Sequence, residues 1–292
     1  MSPTPNRITS ASVFEGRDDF PLAVQRYEDH NSGNLHTHEF HELVILQGGS
    51  GRHMTDHGSY PLQAGDLFLV RGAMAHGYAD TRDVALINIL FQPRRLGLPL
   101  QYLRDLPSYH ALFRIEPKLR NSGRFRQRFR LTEKQLSETL RHVAAIELEL
   151  EKRSPGYRFA ACTHLMSLLG YLSRCYGSSR NPEQRTFMRL GEVLSYMENH
   201  LEEEITVPQL AAIAHMSEST LTRRFKKVLG RSPTAHLIRL RIDRARQLLG
   251  DPDMNITEIS LACGFTDSNY FSRRFRSAAG YSPRQYRNAR RT

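Results

Sequence analysis

Tryptophan is absent from this 292-residue chain, and cysteine appears only as Cys162, Cys175 and Cys263. An odd number without close spacing excludes a disulfide framework and a zinc knuckle, and points to a reducing, cytoplasmic setting. Also missing is any apolar run near the roughly twenty residues that a helix needs to cross a bilayer. The opening "MSPTPNRITS" lacks the apolar centre of a secretory leader, so no membrane partner is expected. Acidic side chains are scarce at one end only. From Ile205 onward 6 Asp and Glu face 16 Lys and Arg, whereas the preceding 204 residues hold 24 and 25. Nearly all of the net charge of +11 therefore lies in the last third. That asymmetry is the electrostatic footprint of a nucleic-acid-binding domain joined to a neutral one; the alternative is a merely solvated basic face. The rest of the composition, 39% hydrophobic and 24% charged over a length sufficient for two cores, is that of a globular protein with two domains.

What is present divides by periodicity. Residues 20–95 read as short strands and turns: "HELVILQGGSGRH" is an apolar strand running into a Gly-rich turn, "SYPLQAGDLFLVRG" returns through Ala64, Gly65 and Asp66, and "VALINILF" is a further β-rich run. Such spacing predicts a small barrel or sandwich. Beyond Leu131 the period becomes helical. Leu136, Leu140, Val143 and Leu150 mark one stripe, Phe159, Leu165, Leu168, Leu169 and Leu172 a second, with Ser154, Pro155 and Gly156 between them. This helical hairpin would cover the barrel or pair with a second copy. The polar stretch "GSSRNPEQRT", 177–186, reads as a linker between domains at 1–176 and 187–292, and after it Phe187, Leu190, Leu194, Met197 and Leu201 face inward on one helix. The expected class is α+β, with an all-α C-terminal domain.

That last domain contains one pattern twice. "SESTLTRRFKKVLGRSP" at 217–233 recurs as "DSNYFSRRFRSAAGYSP" at 267–283, with the same Arg-Arg-Phe, Gly and Ser-Pro offsets. Each copy reads as two short helices around a tight turn. Thr206 with Gln209, and Asn255 with Glu258, form the first capping pairs; Ser217 and Asp267 cap the second helices, and Gly230 and Gly280 stop them. Leu210, Ala211, Ile213, Leu221, Phe225, Val228 and Leu229 supply the buried side of the first copy, and Ile256, Ile259, Ala262, Phe271 and Phe275 that of the second. From Leu210 to Phe225 is fifteen steps and from Ile259 to Phe275 sixteen, so the second turn, near Gly264 and Phe265, carries one extra residue. Two helices, the second basic on its exposed side, are the plan of a helix-turn-helix DNA reader. Ser219, Thr222 and Arg223 in one copy, and Ser268, Asn269, Ser272 and Arg273 in the other, point away from the buried stripes toward base edges. Arg suits guanine and Asn suits adenine. Arg224, Lys226, Lys227, Arg274 and Arg276 are assigned to phosphates or to the solvated face.

The segment 192–287 resembles the DNA-binding domain of AraC/XylS-type bacterial transcription regulators. The likeness is carried by "LAAIAHMSESTLTRRFKKVLGRSP" and "ITEISLACGFTDSNYFSRRFRSAAGYSPRQYR". It implies two helix-turn-helix units joined by a long helix, here about 233–249, with recognition helices in successive major grooves about one helical turn apart.

In the N-terminal half, "HTHEFHELVILQGGSG" places His36, His38 and Glu42 at even spacing, hence on one face of a strand, and "GDLFLVRGAMAH" adds His76. This H-x-H-x₃-E…H order resembles the metal-binding pattern of cupin barrels, although Arg71 and Ala73 stand where cupins favour Pro and Gly. Three readings fit: an effector-binding barrel without metal, a metal-assisted effector site in which His36, His38, Glu42 and His76 hold Zn, Ni, Fe or Mn, and structural histidines closing the barrel mouth. His41, His53 and His57 lie close by in sequence and read equally well as surface residues. The order "HTHEFHELVIL", "GDLFLVRGAMAHGY", "VALINILFQP" is similar to that of the L-rhamnose-responsive members of the AraC family. For a sugar, the polar candidates are His36, His38, Glu42, Arg52, His76 and Asn88.

These features imply a transcription regulator, commonly an activator in this family, and not an enzyme. Its expected partners are double-stranded promoter DNA, a small-molecule effector such as a sugar, RNA polymerase and a second copy of the chain. No cofactor is expected beyond the divalent metal of the second reading. Two rivals are a cupin metalloenzyme, an isomerase or dioxygenase with an accessory DNA-binding tail, and a non-specific architectural DNA binder; the separate sensor-like module argues against the latter.

Overall fold

The computed structural model describes residues 5–14, 20–72, 74–120, 129–179 and 181–289. Ala73, in the metal-type pattern, and Arg180, in the linker stretch, lie outside them. Two compact units divide the chain, Met1–Met188 and Arg189–Thr292. No described helix is long and apolar enough to cross a membrane.

In the first unit β1 (Asn6–Ile8), β2 (Leu22–Tyr27), β3 (Gly33–His38), β4 (His41–Thr55), β5 (Gly58–Gln63), β6 (Asp66–Arg71), β7 (His76–Phe91) and β8 (Phe129–Arg130) form one sheet, with α1 (Ser10–Phe14) after β1. Its path is β1-β3-β7-β4-β6-β8, with β2 also on β7 and β5 also on β4. Alternation sorts the side chains of β4 to two faces. Val44 and Leu46 cluster with Leu62, Phe68, Val70, Met74, Tyr78, Val84 and Leu86. A single sheet whose one face packs on itself is rolled, so this face is the inside of a barrel. Leu43 and Ile45 point the other way, into a core shared with Leu67, Leu69, Ile87, Ile89 and the helices. Between Leu46 and Arg52 the β4–β7 register slips three times. Gly49, at φ 74°, sits in this stretch, and a Cβ there would lie 2.1 Å from the Asp83 carbonyl oxygen, so only glycine lets the strands approach.

The outer core is closed by helices. Pro107–His110 (α2), a π-helical turn Ala111–Ile115 and Glu116–Arg120 (α3) follow one another without a break. The predicted hairpin is α4 (Glu133–Lys152) and α5 (Tyr157–Gly177). Thr132 and Gln135 cap α4 reciprocally, and Arg153 and Gly156, both in the left-handed region, turn the chain between the helices. Val143, Ile146, Ala161, Leu165, Leu168, Leu169 and Leu172 are buried there. Phe159, expected in this stripe, is 79% exposed. The stripe instead begins at Ala161, and a residue two positions earlier lies about 200° around the helix.

The linker stretch 177–186 is also different from its reading. Pro182 opens α6 (Pro182–Asn199), since a helix start has no use for the missing N–H. Phe187 and Met188, on that helix, pack with the first unit's core, whereas Leu190, Val193, Leu194 and Met197 are buried in the second. In the second unit α6 is followed by α7 (Val207–Ile213), α8 (Glu218–Leu229), α9 (Pro233–Leu248), α10 (Ile256–Ala262), α11 (Ser268–Ala279) and α12 (Pro283–Ala289).

Candidate DNA interface and barrel site

The two halves of the second unit are built alike. Thr206 accepts from the Gln209 amide and Ser217 from that of Thr220; Asn255 and Glu258 form a full capping box, and Asp267 accepts from Asn269 and Tyr270. Those two amides hold the Asp267 carboxyl below its ordinary range. Both turns close with the same long bond, Met216 N–H to Ala211 O and Phe265 N–H to Ser260 O, each 3.0 Å, and both pass through a left-handed residue, His215 at φ 49° and Gly264 at φ 78°. The extra residue of the second copy is Thr266, between that turn and the Asp267 cap. Ala262, expected inward, is exposed, and the buried position belongs to Cys263, the counterpart of buried Ala214.

Leu221, Phe225 and Leu229 seat α8, and Phe271 and Phe275 seat α11. Opposite them Ser219 and Arg223 are exposed on α8, as are Asn269 and Arg273 on α11, while Thr222, Ser268 and Ser272 are half-buried beside them. Lys226, Lys227 and Arg276 are exposed. Arg224 and Arg274 are half-buried, and the Arg274 guanidinium lies 5.9 Å from the ring centre of Tyr270, an exposed aromatic in the same turn as Asn269. Three cations counted in the basic third instead hold the scaffold. Arg241 donates to the carbonyls of Leu201 and Glu203 at 2.9 and 2.6 Å, Arg246 to that of Ala278 at 2.9 Å, and Arg287 to that of Met254 at 2.7 Å.

In the barrel, β3 carries His36 and His38, β4 carries Glu42, and β7 carries His76 directly across from His36. Candidate ligand atoms of His36, Glu42 and His76 all lie within 4.8 Å of one another. Glu42 Oε2 is 3.0 Å from His38 Nε2 and 3.2 Å from His76 Nε2. Neither contact is aligned as a hydrogen bond. The opposite ring nitrogens explain why: His38 Nδ1 is 2.8 Å from the Phe40 carbonyl oxygen and His76 Nδ1 is 3.2 Å from that of Met74. A neutral imidazole that donates from Nδ1 presents a lone pair at Nε2. Two lone pairs thus face one buried carboxylate. A divalent transition metal resolves that opposition, and backbone carbonyls on the far nitrogens are the usual support of histidine ligands, so the residues fit such an ion. Burial alone raises the Glu42 carboxyl; imidazoles protonated at Nε2 as well would donate to it, outweigh burial and hold the group below its ordinary range. Burial, with His76 adding, lowers His36 to about 4.

The remaining effector candidates separate. Asn88 pairs with Val44 across the strands and faces inward, its Oδ1 without a hydrogen-bond partner among the described residues. Arg52 is exposed and donates to Ser59, because the slips before it reverse the facing of β4. His53 takes the inward place. It is fully buried, in register with Tyr60 and Tyr78, with ring centres 4.8 Å from Phe68 and 5.5 Å from His76. Tyr60 and Tyr78 bury hydroxyls without hydrogen-bond partners among the described residues. These three, and Arg120 beyond Phe68, were missed; cross-strand register would have found the tyrosines had the slips been readable. His41 lies on the outer face against Phe91, lowered to about 3 by burial and then by Arg71, and His57 is exposed.

Residues 20–171 match the AraC-like ligand binding domain and 210–289 a helix-turn-helix domain. The chain is 30% identical over 273 residues to the HTH-type transcriptional activator RhaS of Citrobacter koseri, covering 92% of this chain and 93% of the relative. It is 31% identical to the protein of the same name from Escherichia fergusonii, over 87% of each, and 28% identical to the HTH-type transcriptional activator RhaR of Enterobacter sp. strain 638, over 86% of each. With a ligand-binding barrel and two capped helix-turn-helix motifs in one chain, this protein belongs to the AraC family of DNA-binding transcription regulators.

Proposed function

We propose that the barrel binds a small sugar and that its occupancy sets how α8 and α11 engage a promoter, activating transcription. The observation that carries the sugar is the barrel interior: Tyr60, Tyr78 and Asn88 bring unpartnered polar atoms inward beside the apolar side chains of Val44, Phe68 and Leu86. Aromatic walls with a few convergent polar groups suit a polyhydroxylated ligand. L-Rhamnose is the lead, supported by the likeness of the barrel segments to those of the L-rhamnose-responsive members of the family. A divalent ion on His36, His38, Glu42 and His76 would supply a Lewis-acidic anchor for sugar oxygens. Base reading falls to Ser219, Thr222, Arg223, Ser268, Asn269, Ser272 and Arg273, and phosphate contact to Arg224, Lys227 and Arg274. The barrel with its hairpin forms the sensing part, RNA polymerase is the downstream partner, and the hairpin offers a face for a second copy. The protein acts in the cytoplasm and carries no catalytic activity of its own.

The effector shifts the balance between two states only through its differential affinity for them. A thermal-shift screen of sugars on the full chain, followed by promoter affinity with and without the stabilising sugar, tests the proposal. The expected outcome is a sugar-dependent rise in stability and a changed promoter affinity; a sugar that binds and leaves affinity and footprint unchanged refutes it.

A further inference from the structure

Glu116 and Arg120 are 2% and 1% exposed, ionisable, and outside the histidine site. Four residues apart on α3, they share one face of the helix, a turn from each other. Their side chains lead in different directions. The Arg120 guanidinium carbon lies 4.5 Å from the ring centre of Phe68 and 5.9 Å from that of Tyr60, both on the inner wall of the barrel. From Phe68 the aromatic series continues to His53 and on to His76. Glu116 Oε1 instead accepts the Tyr176 hydroxyl at 2.6 Å. Tyr176 is fully buried and is the last residue but one of α5, a few residues before α6 carries the chain into the second unit. Immediately before Glu116 stands the π-helical turn Ala111–Ile115. Such turns are rare and concentrate at functional sites.

We propose that α3 links the barrel interior to the end of α5, with Arg120 reading an oxygen-bearing ligand beside Phe68 and Tyr60, and Glu116 and Tyr176 acting as positioning residues. The guanidinium donates to ring or hydroxyl oxygens of the sugar while an aromatic wall holds its plane. A displacement of Arg120 is carried by the short helix to Glu116, and the π-helical turn supplies a place where register is taken up. The Glu116–Tyr176 bond then fixes, or releases, the last turn of α5. This rests on the sugar reading for the ligand, but not for the link itself.

The link is tested without any ligand by amide hydrogen exchange on the full chain, read at residues 172–178 and, as a control, at 143–146 of α4. Tyr176→Phe is expected to raise exchange at 172–178 at least fivefold with the control unchanged. Arg120→Met should reproduce that rise, and the double variant should add nothing. Glu116→Gln, which keeps an acceptor oxygen and does not ionise, should not exceed the wild-type rate, while Glu116→Leu should behave as Tyr176→Phe. Wild-type exchange at 172–178 in Arg120→Met, or additive effects in the double variant, overturns the proposal. A second arm uses L-rhamnose as probe. If it stabilises the wild type, Tyr176→Phe should bind it within twofold yet lose its effect on exchange at 172–178; an effect retained in full overturns the coupling. If L-rhamnose leaves the wild type unchanged, the choice of sugar fails and the first arm alone decides the link.

Discussion

Glu116→Gln separates charge from hydrogen bonding at one buried point of the first unit. Burial raises the Glu116 carboxyl from the usual 4.5 to about 7, with the Tyr176 hydroxyl bond and the nearby Arg120 charge partly opposing. The folded chain therefore holds this proton more tightly than the unfolded chain. Its contribution is fully present below the unfolded value and is lost as pH rises through about 7. At about 1.4 kcal/mol per tenfold change in proton affinity, the shift from 4.5 to about 7 corresponds to about 3 kcal/mol between its limits. Glutamine keeps an oxygen for Tyr176 and never ionises. The variant is therefore expected to be more stable than wild type by about 3 kcal/mol at pH 8 and by only about 1 kcal/mol at pH 5. In a unit of this size that pH-dependent part moves the midpoint by roughly 5–10 °C. Calorimetry of both full-length chains across this range gives the difference directly. His36 and His41, whose lowered values act in the opposite sense by costing stability as pH falls, occur in both chains and cancel. A stability difference that stays constant from pH 5 to pH 8 would show that Glu116 is ionised throughout and refute the reasoning.

Other changes test the remaining parts. Asn269→Ala or Arg273→Ala should cost about 1–3 kcal/mol on the cognate site and relax base preference at one or two positions in a selection experiment, whereas Lys227→Ala should weaken all sequences alike and reduce the salt slope by about 1. Gly264→Ala places a Cβ 2.2 Å from the Leu201 carbonyl oxygen at positive φ, and should destabilise the second unit by about 2–5 kcal/mol in calorimetry. His215→Gly, at the matching position, should raise stability by about 0.5–1 kcal/mol by removing side-chain strain at φ 49°. Adding Co²⁺ or Zn²⁺ to the full chain should raise its melting temperature with about one ion per chain, and His76→Ala should abolish the rise; equal shifts in both would remove the barrel histidines as ligands.

The second unit was legible because its signals are local. Caps at Thr206, Ser217, Asn255 and Asp267, left-handed stops at Gly230 and Gly280, and a 3.6-residue stripe all act within a few residues of sequence. Of the histidine set, His36 and His38 were legible as neighbours on one face of a strand, but Glu42 does not continue that strand: a bend at Glu39 and Phe40 ends β3, and Glu42 reaches the histidines from β4. Charge was a coarser guide. It located the DNA-binding half, yet Arg241, Arg246 and Arg287 spend their donors on backbone carbonyls, so excess charge marks a domain and not a contact surface.

Where reading failed, the deciding interaction lies far along the chain. The face of Arg52 and His53 depends on register slips against β7, more than twenty residues away, and no propensity in "GGSGRH" states how many slips occur. Without the slip between Leu46 and Gly48, which puts its extra residue on β4, the two side chains would exchange faces and the barrel's inner wall would turn from imidazole to guanidinium. The same distance hides Glu116 and Arg120, on which the sequence carries no signal until the barrel wall and the end of α5 enclose them. Burial of that kind comes from tertiary packing alone. A functional residue on a capped helix is therefore open to sequence reading, whereas one whose environment is assembled from a slipped strand and a distant helix must be read from the fold.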